Sequence, residues 1–126
     1  MDAKIYRKKE DDNALHVGDT RMNKYELLTE LKDVDKQENY KENYDEIQGP
    51  LDCLYSIVPL YATDVVVLSN TTWEGTYFCN TFGYLVLDGN KFDIESDDFV
   101  SSIVIRHMLE TAIGRRVDHI HSSFLS

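Results

Sequence analysis

The dipeptide Asp88-Gly89, followed by Asn90, stands between the apolar run Tyr84–Leu87 and the alternating segment Lys91–Ile94. Asp-Gly between such segments is a strong hairpin signal, because the tight primed turn needs positive φ at its central residues. A chain that reverses there lays its flanking segments side by side and antiparallel. Two more stretches, VVVLSN from Val65 and TYFCNTF from Thr76, are rich in β-branched and aromatic residues and read as strands of the same sheet. LDCLYSIV from Leu51 reads the same way, with Pro59 separating it from the next run. Gly83 marks a bend or bulge.

Before residue 50 the apolar period is helical. Asn23 and Glu26 form a capping-box-like start, and Leu27, Leu31 and Val34 recur on one stripe beside Leu28. Tyr40, Tyr44 and Ile47 resume the pattern at i, i+4 and i+7, and Gly49-Pro50 ends it. The segment is one long helix with a weak middle, or two helices. A second helix is expected from Ser96, with Asp97 and Asp98 in its first turn. Its stripe would run through Phe99, Val100, Ile103, Val104, Met108, Leu109, Ala112 and Ile113 to Gly114. A last strand is expected over 117–125. The fold class that follows is α+β: an antiparallel sheet of about four to six strands, with the N-terminal helix or helices and one C-terminal amphipathic helix packed on it.

A chain of 126 residues suits a single domain, 1–126. Residues 1–18 are polar and mixed in charge. They read as a loose end, or else Lys4-Ile5-Tyr6 forms a short edge strand or an arm that packs on a partner. No apolar leader is visible there, and the longest unbroken apolar run is four residues. The expectation is a cytoplasmic protein that does not engage a membrane. Cys53 and Cys79 sit in apolar runs and read as buried free thiols, or as one bridge if their strands are neighbours. Asn70-Thr71-Thr72 matches a glycosylation sequon and reads here as a turn.

Charge bears most directly on function. The chain has 13 Lys and Arg against 23 Asp and Glu, a net charge of −10. Residues 10–50 hold 12 acidic and 5 basic residues, a net of −7. Duplex recognition rests on Lys and Arg neutralising phosphates, so direct nucleic-acid binding is disfavoured. An acidic surface instead steers a basic protein partner. No G-x-S-x-G, no phosphate loop, no G-x-G-x-x-G and no zinc-spaced cysteine pair is present, so a non-catalytic protein with no cofactor is expected. The reading is a small binding protein that neutralises or inhibits a basic partner, as immunity proteins and phage or viral inhibitors do. Its binding residues would be Glu30, Asp33, Asp35, Glu38, Glu42, Asp45 and Glu46 on the acidic helical face.

The alternative starts from the cations. Residues 51–126 contain only Lys91, Arg106, Arg115 and Arg116, and the three arginines fall within sixteen residues together with His107, His119 and His121. Guanidinium groups match phosphate or carboxylate. An oligomer could bind a nucleotide or another anion through Arg106, Arg115, Arg116, His119 and His121, with Phe82 stacking. His119 and His121 would share one strand face, but no third ligand is indicated, so no metal is expected. Homo-oligomerisation is plausible from the surplus of apolar strands and tyrosines.

Overall fold

The computed structural model describes residues 1–10, 16–36, 40, 44, 47–81 and 83–108. Six strands form one antiparallel sheet: β1 (Asp2–Lys8), β2 (Tyr25–Leu31), β3 (Val65–Ser69), β4 (Gly75–Asn80), β5 (Gly83–Leu87) and β6 (Val104–Met108). Their spatial order is β2-β1-β3-β4-β5-β6. One α-helix, α1 (Gln48–Ile57), lies between β2 and β3 in sequence. Both of those strands are antiparallel to β1, so they run parallel to one another with β1 between them. The rest of the described helical structure is four single 3-10 turns.

Side chains alternate across the strands and divide the core in two. Ala3, Ile5, Val66, Leu68, Tyr77, Cys79 and Tyr84 pack on one face with Ile47 and the α1 residues Leu51, Cys53 and Leu54. Val65, Phe78, Leu85 and Leu87 point the other way, onto Met22, Tyr25, Val100 and Ile103. Helix α1 therefore covers one face. The 3-10 turns Met22–Lys24 and Val100–Ile103, with their neighbouring loops, cover the other. With both faces buried, β3 and β4 read as continuous apolar runs rather than alternating ones.

This architecture corrects the expected fold class. The described residues are mostly sheet, and among them neither the N-terminal helix nor the C-terminal helix that the apolar spacing suggested is present. Residues 25–31 are strand β2, since a spacing of four fits a regular strand as well as a helix. A bulge at Leu28 sets Leu27 opposite Tyr6 and Leu31 opposite Ala3, so only Leu31 packs on the α1-side core while Leu27 is 48% exposed. LDCLYSIV is helical: Leu51, Leu54 and Val58 follow steps of three and four, and the buried Pro50 sits in the first turn, where its missing N–H costs nothing. Gly49-Pro50 thus starts a helix instead of stopping one. Gly49 is also a close approach, since a Cβ there would collide with the ring of Tyr44.

The stretch from Phe99 makes a 3-10 turn and then β6, in keeping with the β-branched run Ile103-Val104-Ile105. Leu109, Ala112, Ile113, Gly114 and the strand expected over 117–125 lie outside the described residues. The first residues are neither a loose end nor an edge: β1 is flanked on both sides.

Strands β3, β4 and β5 stand where the apolar runs placed them. At Asp88 the chain does turn, but no hairpin follows. The N–H of Lys91 donates to the Asp88 carbonyl at 3.0 Å and that of Asn90 to its carboxylate at 3.2 Å, and neither Gly89 nor Asn90 has positive φ. This is an ordinary Asx-stabilised turn. What requires glycine at 89 is space, since a Cβ would come within 2.6 Å of Thr76 Oγ1. No helix among the described residues is long and apolar enough to cross a membrane.

Candidate functional site

Three of the acidic residues proposed for partner binding are described. They lie on the outer strand and the turn after it, not on a helix. Glu30 belongs to β2, faces Lys4 across the β1 ladder and is 2.7 Å from Lys32 Nζ. Asp33, at φ 55°, is 3.8 Å from Lys36 Nζ. Asp35 meets the α-amino group of Met1 at 2.5 Å. The hydrogen bond from Lys32 holds the Glu30 carboxyl below the usual range, and the amino group does the same to Asp35. Asp2 is lowered by the Asp33 N–H and by the side chain of Asn70. This rim is an interleaved set of charges, each acid having a cation at hand. Glu38, Glu42, Asp45 and Glu46 lie outside the described residues.

The alternative anion site is not brought together among the described residues. Arg106 is exposed on β6, opposite Val86, and Phe82, Arg115, Arg116, His119 and His121 lie outside the described residues.

Sequence reasoning missed a buried ion pair at the other end of β1. Arg7 donates from Nε to Asp64 Oδ1 at 3.0 Å, and from Nη2 to Asp64 Oδ2 and the Pro59 carbonyl, both at 2.8 Å. The Tyr61 N–H also donates to Asp64 Oδ2 at 2.8 Å, and the guanidinium lies 3.8 Å over the Tyr61 ring. The Asp64 side chain is 1% exposed and that of Arg7 24%. Nearby, Thr63 holds φ 78°, a conformation unfavourable for a β-branched residue, and its carbonyl accepts the buried hydroxyl of Tyr25. Both Asp64 oxygens accept hydrogen bonds, so the cluster clamps the connection between α1 and β3. An acid directly before a buried β-branched run was the available signal.

A different acidic element emerges between β5 and β6. Asp93, Glu95, Asp97 and Asp98 are exposed on the loop 88–99, with Ile94 39% and Phe99 37% exposed among them. Among the described residues none of these four carboxylates forms an ion pair. The backbone beneath them is pinned. The Phe92 ring packs edge-on against Tyr6 and Tyr25, at 5.4 and 5.8 Å between centroids. The Ser96 N–H bonds the Asp93 carbonyl, the Glu95 N–H bonds Asp93 Oδ1, and the Asp98 N–H bonds Ser96 Oγ. From the facing loop, the Met22 N–H donates to the Asp98 carbonyl and Arg21 Nη1 to the Asp97 carbonyl. Arg21 also lies 4.2 Å over the Phe99 ring. Ser96-Asp97-Asp98 does not start a helix; the Ser96 hydroxyl instead braces a turn by accepting the Asp98 N–H.

An open groove of about 380 Å³ runs along Val67, Ser69, Glu74, Thr76 and Asn90 at one end of the sheet. Among the described residues no three His, Cys, Asp or Glu side chains are grouped to hold a metal ion. No family model, no curated protein and no solved structure matches this chain.

Proposed function

We propose that this protein is a small non-catalytic binding module that docks on a basic surface of another protein through the acidic loop 93–99. The observation that carries this reading is the loop itself: four exposed carboxylates without ion-pair partners among the described residues, two exposed apolar side chains between and beside them, and a backbone fixed by its own hydrogen bonds. Pre-ordering matters because a loop already held in place loses little conformational freedom when a partner arrives. Ile94 and Phe99 supply apolar contact, while the carboxylates select for Lys and Arg and accelerate encounter. A chain of net charge −10 adds a long-range field of the same sign.

The experiment is a pull-down from the native source with the wild-type protein and with Glu95→Gln/Asp97→Asn/Asp98→Asn, each at low and high salt. The expected result is a basic protein retained by the wild type at low salt, lost from the substituted protein, and lost near 1 M salt, where screening acts over about 3 Å. Retention of the same partners by the substituted protein, or indifference to salt, overturns the assignment.

A further inference from the structure

The two outer strands carry opposite charge. Among the described residues no strand flanks β2 on the side away from β1, or β6 on the side away from β5. On β2, Glu26 and Glu30 are exposed together with Leu27 and Leu28, at 48% and 43%. On β6, Arg106 and His107 are exposed together with Ile105, at 66%. Neither the Glu26 carboxylate nor the Arg106 guanidinium has an ion-pair partner among the described residues. Each edge thus presents an apolar centre bordered by charge, acidic on one and basic on the other.

We propose that the protein self-associates head to tail, with the β2 edge of one copy adding to the β6 edge of the next. Strand direction permits it. Six strands alternating without exception make the first and last run oppositely, so β6 of one copy meets β2 of another in antiparallel sense. Charge selects this pairing over its alternatives. Joining β2 to β2 sets glutamates against glutamates, and joining β6 to β6 sets arginine against arginine, which opposes pairing. Joining β2 to β6 sets Glu26 against Arg106, and buries Leu27 and Leu28 on Ile105. The contact is heterologous, so it propagates into a ring or filament and does not stop at two copies.

Both edges carry a bulge. The register slips at Leu28, which has no counterpart on β1, and at Ile105, which has none on β5. The regular ladder on each open side is therefore short, and the association belongs to the weak, reversible class.

Sedimentation velocity on the full chain, from micromolar to about 1 mM, tests the proposal. The average mass is expected to climb with concentration past that of a dimer. Ile105→Lys, Arg106→Glu and Glu26→Lys, all at exposed positions, are each expected to remain monomeric with an unchanged circular dichroism spectrum. An equimolar mixture of Arg106→Glu and Glu26→Lys is expected to associate again, since each restores the charge match that the other lacks. A wild type that stays monomeric throughout, a mass that stops at dimer and responds to substitution on one edge only, or a mixture that fails to recover overturns the proposal. The loop 93–99 plays no part in this contact, so the outcome is independent of partner binding.

Discussion

Replacing Asp64 by Ala removes the anion from a guanidinium that is three-quarters enclosed and leaves the Tyr61 N–H without its acceptor. Breaking one side of a buried ion pair costs about 3–5 kcal/mol. Arg7 keeps a quarter of its surface in water and can turn toward it, which places the expected loss near the lower end, about 3 kcal/mol. For a chain of this length each kcal/mol lowers Tm by roughly 3–5 °C, so the melting temperature should fall by about 10–15 °C. Arg7→Met should cost at least as much, because it leaves the Asp64 carboxylate, 1% exposed, without its cation and removes the bond to the Pro59 carbonyl. The double substitution should cost clearly less than the sum of the two, since no orphaned charge remains. Thermal and urea unfolding followed by circular dichroism measure all three. A fall of less than about 3 °C for Asp64→Ala, or simple additivity in the double variant, would refute the view that this pair clamps the entry to β3.

Three further outcomes follow from burial. Cys79 is pushed up to about 12, first by desolvation and then by the Asp64 carboxylate, and Cys53 is raised by desolvation. Both thiols should resist alkylation in the native protein and react once it is unfolded. A thiol whose folded pKa is raised stabilises the fold fully below its unfolded value and less as pH climbs toward the folded one. Stability should therefore decline between pH 9 and about 12, and Cys79→Ala should flatten that decline in urea melts taken across the range. Tyr25→Phe removes the hydroxyl that donates to the Thr63 carbonyl. A loss of about 1–2 kcal/mol is expected in the same melts, and an unchanged midpoint would mean that the carbonyl finds another donor.

The central sheet was legible because Val65–Leu68, Tyr77–Cys79 and Tyr84–Leu87 combine β-branched and aromatic residues with lengths too short for helices. The flanking elements were not, for identifiable reasons. Leu27 and Leu31 fit both periods, and what decides between them is the ladder to β1, a contact between residues more than twenty positions apart. Phe99, Val100, Ile103 and Val104 likewise satisfy a helical stripe, but two of them anchor a 3-10 turn under the sheet and Val104 opens a strand aligned on β5. Pro50 carries opposite meanings at the end of a helix and in its first turn, and local pattern does not separate them. At the candidate site, the acidity of 93–98 was visible while its brace was not, because Arg21 and Met22 reach it across more than seventy residues. The Arg7–Asp64 pair spans 57 positions, so the acid before Val65 was visible while its cation was not.

The position of β1 between β2 and β3 bears on how the molecule is made. Synthesis proceeds at about 5–20 residues per second, so the first strand waits several seconds before β3, which ends at Ser69, has left the ribosome. Until then only β2 can shield it, and the partner ladder from Asp2 to Tyr6 stays open to any other extended chain. Strand β1 is thus enclosed only once a segment translated well after it arrives, and nascent chains stalled before residue 69 should be the ones that recruit chaperones or aggregate.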